Sequence, residues 1–214
     1  MDWKQEIFSK VVDGDAEGTA AAITQALQSG LEPQDLLNGA LIAAMAKVGD
    51  LFEQREFYVP EMLVAARAMK AGVAILKPHL PQDAVGSAGT IVMGTVAGDL
   101  HDIGKNLVCM MLEGAGFRVI DLGTDVAPAK FIAAIKDYAP QFVGMSALLT
   151  TTMPAMKTTI AAIRDAGVRD KAKIIVGGAP ITQAYAEEIG ADLYAQDANA
   201  AARVVRQALQ AAGS

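Results

Sequence analysis

Cysteine occurs once in this sequence, at Cys109, and a single thiol cannot close a disulfide within the chain. Histidine occurs twice, so His79, His101 and Cys109 are one ligand short of the four that a structural zinc centre takes. Basic side chains are outnumbered, 18 Lys and Arg against 24 Asp and Glu, for a formal net charge of −6. That balance excludes the clustered cations a nucleic-acid binder needs for its phosphate contacts. No apolar run is long enough to cross a bilayer, Ala40 to Ala46 being typical of the longest. The opening Met1-Asp2-Trp3-Lys4-Gln5-Glu6 lacks the basic-then-apolar texture of a secretory signal, so a cytoplasmic protein with no membrane partner is expected. Aromatics make up 5% of the chain, whereas hydrophobic residues make up 52% and alanine alone occurs 41 times. Small aliphatic side chains must therefore fill the core of one domain or of two small ones.

Residues 1 to about 77 show no strand pattern. Leu36, Leu37, Ala40, Leu41, Ala44, Met45 and Val48 form one helical stripe, and breaks at Asp13-Gly14-Asp15, at Ser29 to Pro33 and at Glu53 to Tyr58 leave room for about four helices. Pro60 belongs in the first turn of the last of them. Lys77 to Gly89, with Pro78, Pro81, Gly86 and Gly89, reads as an interdomain linker. Beyond it the texture alternates. Strands are expected at Thr90 to Thr95, Arg118 to Asp121, Phe142 to Ser146, Lys173 to Val176 and about Asp192 to Ala195. Helices are expected at Ile103 to Ala115, Pro128 to Tyr138, Met153 to Ala166, Thr182 to Ile189 and Ala198 to Ala211. Five βα units imply a parallel sheet covered on both faces, in the flavodoxin-like order 2-1-3-4-5. Ligands then sit at the switch point between strands one and three, which directs attention to the loops after Thr95 and before Met153.

The first loop, Gly94 to Asn106, is no phosphate loop: five residues separate Gly98 from Gly104-Lys105, and Asn106 stands where a magnesium-binding hydroxyl belongs. His101 follows Asp99 by two residues. The spacing reads equally as a metal ligand whose second ring nitrogen is held by a carboxylate, and as two plain polar loop residues. Asp102 is placed to cap the following helix. Thr150-Thr151-Thr152 before Met153-Pro154 reads as capping chemistry with Thr152 at the N-cap. Gly94, Gly144, Ala147, Gly177 and Gly178 place small residues near the same edge and describe a groove. Lys105 reads as an exposed helical lysine or a partner for a ligand's polar group, Cys109 as a buried apolar residue and His79 as a surface histidine.

Taken together, Asp99-x-His101-x-x-Gly104, Ser146-x-Leu148 and Gly177-Gly178 resemble the signature of cobalamin-binding domains that bind the cofactor base-off and His-on. His101 to Leu107 and Asp121-Leu122-Gly123 are similar to the corrinoid module of methionine synthase. Val48 to Phe52 and Tyr58-Val59-Pro60-Glu61 resemble that module's helical cap. The likeness covers nearly the whole chain and is nearest to the stand-alone corrinoid proteins of methylamine and methoxyaryl methyltransferase systems.

The resemblance implies a four-helix cap over residues 1–88 and a Rossmann-like cobalamin-binding domain over 89–214. His101 would be the lower axial cobalt ligand, with Asp99 accepting its second ring proton and Thr152 extending the network. Methionine synthase has serine at the place of Thr152. Asp102, Ile103 and Gly104 would flank the cofactor. Gly94, Gly177 and Gly178 would make room for the displaced nucleotide tail, Ser146 and Thr150 would hydrogen-bond it, and Leu148 completes the motif. Tyr58, Met62 and Met69 would cover the upper corrin face, with the linker as hinge. The cofactor implied is cobalamin or a related corrinoid, cycling between methylcobalamin and Co(I). The implied partners are a substrate-specific methyltransferase, an acceptor methyltransferase acting on a pterin or thiol, and a reductive activator. The chain would be a carrier and not a complete enzyme. Competing readings are the cobalamin subunit of an adenosylcobalamin mutase, a cobalamin-dependent sensor, and a flavodoxin-like flavin or nucleotide binder.

Overall fold

A computed structural model describes residues 2–80 and 88–212. Its fold consists of two compact units, the first built on the chain up to the linker and the second on the chain beyond it, except that Glu113–Phe117 group with the first. Pro81 to Ser87, the greater part of the expected linker and hinge, lies outside the described residues; before it, Lys77–His79 form a short 3-10 turn.

The first unit is all helical. Helices α1 (Trp3–Val12) and α2 (Ala16–Gln28) begin at Asp2 and Asp15, whose carboxylates accept the N–H groups of Gln5 and Gly18. A continuous helical stretch then runs through α3 (Pro33–Leu36), a π-helical segment (Leu37–Ile42) and α4 (Ala43–Glu53). The π segment follows from the apolar pattern. Leu36, Leu37, Ala40, Leu41, Ala44, Met45 and Val48 recur every fourth residue and are all buried. An α-helix advances 3.6 residues per turn, so this stripe would rotate away from the core. Bonding from i to i+5 winds more residues into each turn and brings it back. Helix α5 (Val59–Leu76) starts where the Glu61 carboxylate accepts the Tyr58 N–H, 2.9 Å away. Gly72 lets α5 approach α2 closely: a Cβ there would lie 2.7 Å from Ile23 Cδ1 and 3.0 Å from Leu41 Cδ2.

The second unit is a five-stranded sheet of order β2-β1-β3-β4-β5, formed by β1 (Gly89–Thr95), β2 (Phe117–Asp121), β3 (Phe142–Ser146), β4 (Lys173–Gly177) and β5 (Leu193–Ala195). The pairs β1–β3, β3–β4 and β4–β5 are parallel. Helices α6 (Ile103–Gly114), α7 (Pro128–Tyr138), α8 (Met153–Asp165), α9 (Gln183–Ile189) and α10 (Ala198–Ala212) connect and cover the strands. Val92, Phe131, Val143, Met145, Met156, Ile160 and Val176 form the centre of its core. The β-branched runs become strands because both faces of a parallel sheet are buried. The register puts Thr95 opposite Ser146, Ser146 opposite Gly177, and Gly177 opposite Ala195, one row across the carboxyl edge of four strands. Among the described residues, no helix is long and apolar enough to cross a membrane.

Candidate functional site

The loop between β1 and α6 leaves the sheet at its carboxyl edge, and two neighbouring segments hold it. On one side Val96 N–H donates to Ser146 O. On the other, Asp125 Oδ1 accepts the Gly98 N–H at 2.7 Å, while the Asp125 N–H donates to Asp99 O at 3.0 Å. Asp125 makes both bonds from a left-handed backbone with φ of 50°, a conformation Asp tolerates better than most residues. Gly98, at φ of 81°, turns the chain so that Asp99 points inward.

Asp99 is the centre of the site. Its side chain is 0% exposed and accepts four hydrogen bonds. Oδ1 receives the His101 N–H at 3.0 Å and lies 2.8 Å from His101 Nδ1; Oδ2 receives the Leu148 N–H and the Thr152 hydroxyl, each at 2.7 Å. Burial pushes this carboxyl up, but the donors from Leu148, Thr152 and His101 outweigh it and hold the group well below the usual carboxylate range. An ionised carboxylate only accepts, so in the neutral imidazole the proton sits on Nδ1 and the lone pair is left on Nε2. The ring is 50% exposed. One buried charge thus fixes the tautomer of a histidine that is open to a ligand.

The segments that meet at His101 expose large aliphatics: Leu100, Leu148 and Leu149 are exposed, and Ile103 is 83% exposed. Exposed large aliphatics grouped beside a polar group mark a binding surface. Gly104 faces open space, with nothing within 4 Å of where its Cβ would stand. A single imidazole lone pair within an apolar rim suits a flat macrocycle that already holds its metal and lacks one axial ligand. A bare ion is not served here, because among the described residues no three His, Cys, Asp or Glu side chains cluster as a metal site.

Several expectations need correction. Thr152 does not cap α8 with its side chain; its hydroxyl is turned to Asp99 because a buried carboxylate is the stronger acceptor. Asp102 is exposed, and its carboxylate accepts from the Asn106 amide at 3.0 Å. Gly94 opens no groove, since a Cβ there would lie 2.8 Å from the Phe131 ring: the space is used by the core. Cβ atoms at Gly177 and Gly178 would fall against the carbonyl oxygens of Ala195 and Ala147, so the close approach of backbone at this edge requires glycine at both. Met62 and Met69 are buried, whereas Tyr58 is 62% exposed. Thr150 is exposed. Cys109 is buried and His79 exposed, both as expected.

Lys105 is not an exposed helical lysine. Its side chain is 2% exposed, with Nζ 2.5 Å from Asp121 Oδ2 and 2.6 Å from Asn106 Oδ1. Helical spacing carried that signal: Lys105, Cys109 and Leu112 follow i, i+4, i+7 on the buried face. Two further residues, Thr95 and Asp125, were not singled out by the sequence reading. Thr95 was detectable as the register partner of Ser146. A cleft of about 400 Å³ lined by Gln141, Arg169, Lys173 and Asp192 lies at the opposite, amino edge of the sheet, away from His101.

A sheet with its switch point at a buried Asp and an open His defines a class of cofactor-binding α/β domain. By its match to two family models, each described as a B12 binding domain and covering residues 89–205 and 3–77, the chain belongs to the B12-binding family. It is 41% identical to trimethylamine corrinoid protein 2 of Methanosarcina mazei over 216 residues, 98% of this chain and 99% of that one. It is 42% identical to the dimethylamine corrinoid protein of Methanosarcina barkeri, over 96% of this chain and 99% of that one. The crystal structure of the methanol:cobalamin methyltransferase complex from Methanosarcina barkeri contains a chain that superposes with a TM-score of 0.89 at 28% identity, covering 100% of this chain and 81% of that one. The corrinoid resemblance drawn from the motifs agrees with all three, and the cofactor class is cobalamin or a related corrinoid.

Proposed function

We propose that this protein is a corrinoid methyl carrier in which His101 is the lower axial cobalt ligand, in the base-off, His-on mode. The observation that carries the ligand assignment is the Asp99–His101 pair, with its 2.8 Å contact at Nδ1 and the lone pair left on Nε2. When bound, the corrinoid cobalt supplies the nucleophilic and methyl-carrying chemistry. The chain's residues ligate, orient and shield. Asp99 keeps the ring proton on Nδ1 and the ring in one attitude. Leu100, Ile103 and Leu148 present an apolar rim to a macrocycle and exclude water beside the imidazole. Gly104 leaves room, while the exposed Thr150 hydroxyl and the acceptor side of the Ser146 hydroxyl serve a nucleotide tail. Residues 1–88 act as the cap and 89–214 as the binding domain, and Tyr58 is the cap side chain accessible to a ligand.

The methyl group passes from a substrate-specific methyltransferase to an acceptor methyltransferase using a pterin or thiol, with a reductive activator restoring the cofactor, in the cytoplasm. The names of the curated relatives favour a methylated amine as donor. Reconstitution with hydroxocobalamin tests the ligand assignment. Stoichiometric binding with an absorption spectrum that changes in His101→Ala is expected; no binding, or a spectrum indifferent to that substitution, refutes it.

A further inference from the structure

Thr95 ends β1 with a fully buried side chain. Its Oγ1 lies 2.9 Å from the main-chain carbonyl oxygen of His101 and 2.9 Å from Ser146 Oγ. A carbonyl only accepts, so the single hydroxyl hydrogen of Thr95 goes to His101 O. Ser146 then donates to Thr95, and a directed chain runs from Ser146 through Thr95 to His101 across the β1–β3 ladder. Asp99 binds the histidine on its other side, through the His101 N–H and Nδ1. The two peptide groups flanking the His101 Cα are therefore pinned separately, one by Asp99 and one by Thr95. With the backbone so held, the 2.8 Å Nδ1 contact leaves the ring a single attitude.

We propose that Thr95 is a positioning residue for the axial ligand: its hydroxyl sets the His101 carbonyl and joins it to Ser146, so that the ring presents Nε2 without searching. This rests on the reading of His101 as the cobalt ligand. Valine at this position keeps the shape and β-branching of threonine but cannot donate, leaving His101 O unpaired. Serine restores the donor.

The test uses full-length protein, labelled with ¹⁵N, saturated with hydroxocobalamin and reduced to Co(II). Electron paramagnetic resonance then reports an axial nitrogen, and the isotope shows whether it belongs to the protein. In Thr95→Val the ratio of protein-ligated to unligated cobalt is expected to fall roughly tenfold, the equivalent of one lost buried hydrogen bond. Thr95→Ser recovers it, because serine restores the donor to His101 O. Should the valine variant not fold, Thr95→Ala carries the same comparison. A ¹⁵N signature unchanged in the Thr95 variants, while His101→Ala abolishes it, overturns this inference alone. A wild-type protein with no ¹⁵N signature overturns the ligand reading beneath it.

Discussion

The hydroxyl of Thr152 stands 2.7 Å from Oδ2 of Asp99, and the residue is buried at the point where α8 begins. A threonine at a helix start has therefore been diverted from its own helix to a carboxylate on another strand's loop. Thr152→Val removes the donor at nearly constant shape and is expected to cost about 1–3 kcal/mol, measured as a shift in urea midpoint. Thr152→Ser is expected to stay near wild type. Loss in Thr152→Ser with Thr152→Val near wild type would mean that packing of the methyl, not the hydrogen bond, is what matters.

Asp99 gives the protein a defined acid sensitivity. Its native carboxyl titrates below the ordinary value, so in the window beneath about pH 4 the unfolded chain binds more protons than the folded one. Stability from this group is fully present above that value and is lost as pH falls. Asp99→Asn is expected to be less stable than wild type at pH 7, because its amide nitrogen faces donors. The gap should narrow between about pH 4 and pH 3 in paired urea titrations. A gap independent of pH would contradict the assignment.

The ion pair of Lys105 and Asp121 is asymmetric, with side chains 2% and 42% exposed. Asp121→Ala leaves the buried ammonium with the Asn106 amide oxygen as its remaining partner and is expected to cost about 1–3 kcal/mol. Lys105→Met strands only a carboxylate that water can reach, and should cost less. Denaturation midpoints of the two variants settle the order.

Glycines of the fold and of the ligand side can be separated by one added methyl. Gly94→Ala presses on Phe131 in the core and is expected to lose about 1–3 kcal/mol without the cofactor. Gly104→Ala meets nothing and sits in α6, so the cofactor-free protein should gain up to about 1 kcal/mol. Its affinity for hydroxocobalamin is nevertheless expected to drop roughly tenfold if that open space is where the corrinoid goes. Unchanged affinity would move the cofactor elsewhere.

Ile103 offers a further separation. At 83% exposure, Ile103→Asn should change cofactor-free stability by no more than about 0.5 kcal/mol. Equilibrium titration with hydroxocobalamin is expected to show weaker binding, and an unaffected titration would remove Ile103 from the rim.

Periodicity made the sheet legible. Phe142 to Ser146 and Pro128 to Tyr138 fall where the pattern put them, and the strand order follows from repeated βα units. The Asp99–His101 pair was legible as spacing, because two residues in a loop suffice to bring a carboxylate beneath a ring. What stayed hidden depends on partners distant in sequence. Thr152 could have capped its helix; only the fold brings Asp99, 53 residues earlier, within reach. Gly94 looked like space for a ligand until Phe131 was seen to fill it. The π segment arises from a four-residue repeat that reads as an ordinary helix unless its drift is counted.

Leu148 contributes to the site twice, by separate parts. Its amide holds Asp99, while its side chain is exposed beside the histidine. Every residue except proline carries that amide. Position 148 is thus free to vary in bulk and polarity with the support of His101 intact, and a change of corrinoid preference can be sought there without touching the ligand.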